Sequence, residues 1–477
     1  MTDYDKKDTH KNKVLSDKLA KFEPENPWVY KQNVMRAQQF VTPTRTEKND
    51  KIEKLWSEFT ELGGEKQATE FEKIITCMNS IIDLDPDNAS AWFNKGSACA
   101  NLSHEDNEDN HYSKEAKKCY LKALEFKPDW YAAIVNLGNA YRELGEQEEA
   151  LKFYDKAIKL DPAAADPWLN KGDMLSASSN IEENKEAIEC FDKAIKLQTP
   201  LSSVAFLGKG LCYGINFNDA EKALECFVEG LAWIEQTKDN SAADTFWFFI
   251  LCKLIENKGI ALRLLKRYPE ALNEFYKLCQ MGPLSSQWPY PYYQMGITLE
   301  ASDKDEEALD FYDDAFRILR KQPNSTDQMG TITTEYTPEG VAIIGLPSID
   351  LDTILIQKGR VLGRLGKPKD ALKCFDDALE LNPTADAWKG KGMVLTDLIA
   401  RQVNSNPELK SKHGKLNYDS NLREDILAKI GEAQACFEKV FEITNPNATS
   451  DAVDDTEIHR ATEVLLKILH LLPDDKK

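Results

Sequence analysis

The chain has 477 residues, with 60 Lys plus Arg against 80 Asp plus Glu, a net charge of -20 and 42% apolar residues. That apolar share can fill buried cores, which excludes wholesale disorder, and the acidic balance sets the chain against neutralising a phosphate backbone. Ten cysteines are too few for a disulfide scaffold, and no apolar run approaches the ~18 residues of a membrane span.

Residues 1–46 open with Met-Thr-Asp-Tyr-Asp-Lys-Lys, too polar for a secretion signal, so a cytoplasmic location is expected. They predict a tail with a short helix between Pro27 and Phe40. Residues 47–88 place Ile74, Met78 and Ile81 at helical spacing before Pro86, and predict a degenerate helical pair.

From 89 to 446 the sequence repeats itself. Ala133-Ile-Val-Asn-Leu-Gly-Asn-Ala-Tyr-Arg-Glu-Leu-Gly, then Ala150-Leu-Lys-Phe-Tyr-Asp-Lys-Ala157 and Pro162, return as Ile354-Leu-Ile-Gln-Lys-Gly-Arg-Val-Leu-Gly-Arg-Leu-Gly, Ala371-Leu-Lys-Cys-Phe-Asp-Asp-Ala378 and Pro383. The skeleton recurs at Gly96, Gly138, Gly172, Gly210, Gly259, Gly296, Gly359 and Gly392, spaced by 42, 34, 38, 49, 37, 63 and 33 residues. A unit near 34 with local insertions explains these spacings, and about three globular domains, the number that length alone suggests, give way to one stack. Each unit predicts two helices: the first carries a large residue such as Trp92, Trp168 or Trp388 four before the glycine, the second an Ala, an aromatic and a small residue, as in Ala150, Tyr154 and Ala157. Small residues let two helices approach and the ring fills the space beside them. Pro128, Pro162, Pro283 and Pro383 stop the second helix.

These residues resemble the tetratricopeptide repeat (TPR) family over about eight units, and the Lys-Gly pairs at Lys95, Lys171, Lys209, Lys258, Lys358 and Lys391 look like those of prokaryotic, particularly archaeal, members. The units at 201–236 and 285–320 lack the closing proline, and Cys99 stands where an aromatic is usual. The resemblance implies an all-α helical-repeat solenoid, a right-handed superhelix whose first helices line a concave groove that binds a peptide or helix. Two residues before each motif glycine the groove position holds Asn94, Asn136, Asn170, Gly208, Asn257, Gln294, Gln357 and Gly390. A carboxamide both donates and accepts, so a row of them can pair with an extended peptide backbone. The arrangement is similar to the asparagine ladder of the O-linked N-acetylglucosamine transferase. The same amides could equally cap local polar groups or satisfy one another between units. Neighbouring groove registers supply Phe93, Asn139, Arg142, Asp173, Arg263, Tyr293, Arg360 and Arg364, with Arg142, Arg263 and Arg360 as positive spots. Val204 and Gly208 replace the basic positions of a chaperone-tail clamp, which disfavours that partner. The six lysines are expected to snorkel, stems packed and ammonium groups wet.

Three insertions, at 103–113, 322–350 and 401–420, interrupt the units. The first holds His104 and His111 among carboxylates but lacks an EF-hand pattern, and reads as a solvated acidic loop. In the second, β-branched runs around Pro338-Glu-Gly340 predict one short β-hairpin over 331–344, either a decoration over a joint or a partner-binding arm. The third is polar, with Lys410, Lys412, His413 and Lys415. Residues 447–477 predict a C-terminal capping helix, with Ile458, Ala461, Val464, Leu465 and Ile468 on one face.

No P-loop, nucleotide-binding glycine motif, HExxH, nucleophile elbow or CxxC occurs, so no catalytic residue, metal or cofactor is expected. Cys77, Cys119, Cys190, Cys226, Cys374 and Cys436 share one register before the second-helix aromatic or its equivalent, which points to packing. The expectation is a non-enzymatic scaffold that binds a protein or peptide in the groove through Asn94, Asn136, Asn170, Asn257, Gln294, Gln357, Arg142, Arg263 and Arg360, with no nucleic-acid partner. The rival is a regulatory or targeting subunit acting through its insertions, chiefly 331–344.

Overall fold

Glycine facing an aromatic ring sets how each helical pair closes. The computed structural model describes residues 47–61, 68–103, 110–237, 245–281, 288–321, 335–336, 342–343, 349–405, 420–444 and 456–471. These divide into two units, residues 1–250 with 332–345, and residues 251–331 with 346–477. The expected 1–46 tail and its short helix lie outside the described residues, as does most of each insertion.

In the first unit, α1 (Glu47–Glu61) packs on α2 (Ala68–Leu84), and four antiparallel pairs follow. They are α3 (Ala89–Leu102) with α4 (His111–Phe126), α5 (Tyr131–Glu143) with α6 (Gln147–Leu160), α7 (Asp166–Ser176) with α8 (Ile181–Lys196), and α9 (Ser202–Asn216) with α10 (Ala220–Gln236). In the second unit, residues 251–264 of α11 (Thr245–Leu264) meet α12 (Tyr268–Gln280). The pairs α13 (Tyr290–Ala301) with α14 (Asp305–Lys321), α15 (Leu351–Arg364) with α16 (Pro368–Leu381), and α17 (Ala385–Asn404) with α18 (Ser420–Thr444) come next. The last helix, α19 (Thr456–Leu471), buries Ala461, Leu465 and Ile468 against Leu395, Ile399, Ile426 and Ile430 of α17 and α18. Two-residue strands, β1 (Glu335–Tyr336) and β2 (Ala342–Ile343), pair antiparallel, with Glu335 opposite Ile343. The rest of the 331–344 stretch lies outside the described residues, and the architecture is otherwise helical.

A Cβ added at Gly96, Gly138, Gly172, Gly259, Gly359 or Gly392 would stand 2.7–2.9 Å from the ring of Tyr120, Tyr154, Phe191, Phe275, Phe375 or Phe437, closer than carbon atoms pack. Every one of these rings is buried, and a fully buried aromatic contributes about 2–3 kcal/mol. The preceding cysteines Cys119, Cys190, Cys226, Cys374 and Cys436 are buried with them. Burial pushes the thiols of Cys119, Cys190 and Cys252 up to about 12, and those of Cys226, Cys279 and Cys436 up to about 11. They are protonated packing groups.

The two helices of a pair meet at a left-handed turn. Gly145 (φ 74°) and Gly366 (φ 70°) supply it without a Cβ penalty, while Lys266 (φ 59°) and Asp303 (φ 60°) adopt the same conformation with one. Between units the joint is proline-based: α4, α6 and α16 end just before Pro128, Pro162 and Pro383. Two of the next first helices are tied back by a tryptophan, with Trp92 Nε1 donating to the Pro86 carbonyl at 2.8 Å and Trp168 Nε1 to that of Pro162 at 3.4 Å.

Candidate peptide-binding faces

Within the first unit, first helices α3, α5, α7 and α9 touch in succession; within the second, α15 touches α17. The motif residues therefore recur along a row of neighbouring helices. Asp173 on α7 lies on that row in the first unit; its side chain is 56% exposed, and desolvation raises its carboxyl above the ordinary value.

The six amides at the shared register have different fates. Asn94 Nδ2 donates to the Ser90 carbonyl at 2.9 Å and Asn257 Nδ2 to the Lys253 carbonyl at 2.8 Å, so both bend back on their own helices. Asn170 is 1% exposed and donates to Asn139 Oδ1 at 3.0 Å, an oxygen that also accepts from the Tyr154 hydroxyl at 2.8 Å. Gln294 is 6% exposed, accepting from Arg263 Nη1 and donating to Tyr290 Oη, each at 2.6 Å. Gln357 is half-buried and hydrogen-bonded to Tyr293. Asn136 is half-buried and makes no hydrogen bond among the described residues. The expectation that all six face a ligand is therefore corrected at Asn170 and Gln294, which are sealed by the joint with the preceding pair. The same geometry explains the glycines of this register: a Cβ at Gly208 would stand 2.7 Å from Phe191, and one at Gly390 would collide with Phe375. Phe93, Asn139 and Tyr293 are likewise buried.

The arginines cross between first helices. Arg142 Nη1 on α5 pairs with Asp173 on α7 at 3.0 Å, and Arg360 Nη2 on α15 with Asp386 on α17 at 3.1 Å. Arg364 binds Asp305 at 2.8 Å and Glu300 at 2.9 Å. Among the described residues Arg263 reaches only the neutral Gln294, and desolvation draws its guanidinium below the ordinary value.

The sequence reading missed what the six lysines do. Their ammonium groups are not left to water; each pairs with a second-helix carboxylate. Lys171 bridges Asp155 of the preceding pair and Glu186 of its own, both at 2.8 Å, and Lys391 bridges Asp376 and Glu432 at the same distance. Lys95 and Lys258 bind their own pair, at Glu115 and Glu274, while Lys209 and Lys358 bind the preceding one, at Asp192 and Asp313. The signal lay in acidic residues 15–20 positions away, or 41–45 where an insertion intervenes, whose alignment only the packing reveals. Missed too was Glu256 on α11, 4% exposed, 3.4 Å from Lys253 and hydrogen-bonded to the Tyr290 hydroxyl.

Of the histidine loop, His111 opens α4 and His104 lies outside the described residues. Among the described residues no group of three or more His, Cys, Asp or Glu is arranged to hold a metal ion, and no helix is long and apolar enough to cross a membrane.

Comparison with known proteins follows the same register. The Protein STIP1 homolog of Dictyostelium discoideum is 32% identical over 95 residues, which cover 20% of this chain and 15% of the relative. Human Protein O-mannosyl-transferase TMTC3 is 23% identical over 370 residues, covering 66% of this chain and 38% of the relative. The chain thus spans well under two thirds of either relative. The solved structure of a tetratricopeptide repeat protein from Parabacteroides merdae matches with a TM-score of 0.40 and 14% identity, over 62% of this chain and 93% of that one. Residues 138–177 match the family described as TPR repeat, and residues 356–398 the one described as tetratricopeptide repeat. With the glycine–aromatic closure recurring in every pair around those two segments, the chain is a tetratricopeptide-repeat protein.

Proposed function

We propose that the chain is a non-enzymatic scaffold that captures an extended peptide or a helix of a protein partner along its first-helix rows, in the cytoplasm and without a nucleic-acid partner. The observation that carries the reading is the row of first helices in the first unit, with a half-buried amide at a repeated register and Asn136 without a hydrogen bond among the described residues. Asn94 keeps part of its amide open beside it, as Asn257 and Gln357 do on the second unit's own first helices; Arg142 in the first unit, and Arg263 and Arg360 in the second, supply charge. Asn170 and Gln294 hold the joints beneath. Each backbone bond contributes about 1 kcal/mol net, so capture needs several together with side-chain contacts.

Replacing Asn94 and Asn136 with Ala is expected to weaken binding of a captured partner about ten-fold while the thermal midpoint moves little. Binding that stays unchanged refutes the amide row. The second reading places the contact on the insertion at 331–344, where β1 and β2 pair. Deleting 331–344 separates the two: loss of partner binding favours the insertion, retained binding the row. An activity belonging to the named transferase relative would instead show as product formation by the chain alone.

A further inference from the structure

Arg263 is a half-buried cation on the second unit's first helices with no carboxylate partner among the described residues. It lies on the last turn of α11. Its hydrogen bond is to the neutral Oε1 of Gln294, and the groups acting electrostatically on it are the phenols Tyr290, Tyr293 and Tyr312. An arginine offers five donors in a planar fork, and a partly desolvated cation with a neutral acceptor costs free energy. A carboxylate taking two parallel N–H bonds would supply the missing counter-charge. The fork is already oriented: Gln294 is anchored by Tyr290, whose hydroxyl is hydrogen-bonded to Glu256. Arg360 is a second cation there, since both guanidiniums act on the Tyr293 hydroxyl. Its own partner, Asp386, is 71% exposed and easily exchanged for another carboxylate.

We propose that Arg263, with Arg360 beside Tyr293, forms a receptor site for the side-chain carboxylate of an aspartate or glutamate inside an extended partner segment. This rests on the first-helix row being the capturing face. An internal acidic residue fits better than a chain end. Half-buried amides stand on the same two helices, Asn257 on α11 with Arg263 and Gln357 on α15 with Arg360, and can hold a backbone that continues past the site.

The test is selection of short random peptides on the full chain. One library is displayed internally, a second carries free C-termini, and Arg263→Gln serves as counter-selection. The internal library should enrich a fixed Asp or Glu. The synthetic consensus peptide should then bind the unaltered chain about ten- to hundred-fold tighter than Arg263→Gln, with partial recovery in Arg263→Lys. Changing that acidic residue of the peptide to its amide should cost the same on the unaltered chain, independent of how the variant folds. Enrichment without a fixed acidic residue, enrichment confined to free C-termini, or binding indifferent to Arg263→Gln overturns the site while leaving peptide capture standing. No enrichment in either library overturns capture and site together.

Discussion

At the joint of α5, α6 and α7, Asn170 ends in a closed, neutral network with Asn139 and the Tyr154 hydroxyl. At the joint of α11, α12 and α13 the equivalent residue, Gln294, ends in a charged chain that runs from Arg263 through Tyr290 to Glu256. Both joints close on the same contact, a glycine against a buried ring, Gly138 on Tyr154 and Gly259 on Phe275. The repeat decides where a side chain stands; its immediate partners decide whether it has anything left to offer. The first joint is finished as built. The second keeps a cation with unfilled donors.

The largest effect should be the one the two joints share. Gly138→Ala and Gly259→Ala place a methyl at 2.7 and 2.8 Å from a ring carbon, and each should cost about 2–3 kcal/mol in urea unfolding. A marked difference between them would mean that the polar networks carry part of the closure. Next, Gln294→Leu should cost about 2 kcal/mol and Asn170→Leu about 1, because the first strands a guanidinium and the second leaves Asn139 with the Tyr154 donor. Equal costs would erase the contrast between charged and neutral joints.

Glu256 sharpens it by pH. Burial raises its carboxyl, so the folded chain holds the proton more tightly than the unfolded one. Stability from this group is complete below the unfolded value of about 4.3 and falls as pH climbs through the raised folded value. Above that range Glu256→Gln should be the more stable protein by about 1 kcal/mol, and the gap should close towards pH 4. Thermal melts across that range check it; no gap at neutral pH would contradict the burial of charge. The smallest effect belongs to the turns. Lys266 holds the left-handed conformation that Gly145 holds in the first unit, so Lys266→Gly should stabilise by about 0.5–1 kcal/mol.

Periodicity made the pairing of helices legible, since Gly138 and Tyr154 or Gly359 and Phe375 must meet wherever two such helices cross. The cysteine register was legible for the same reason. Availability of the amides was not. Asn94 and Asn170 occupy one register, yet one bonds its own helix and the other the residue equivalent to Gly+1 in the preceding pair. A side-chain torsion and a neighbour's identity separate them, and neither has a period. The lysine bridges escaped notice likewise, because Asp155 and Glu186 approach Lys171 from two different helices.

Site-directed thiols measure the central claim, that register is shared and availability is not. Asn136→Cys, Asn170→Cys, Gln294→Cys and Gln357→Cys would be labelled with a maleimide in the native state, against a background of native thiols that burial keeps protonated. The account predicts rapid modification at 136 and 357 and rates on the order of a hundred-fold slower at 170 and 294, where labelling waits on local opening. Equal rates at all four positions would contradict it.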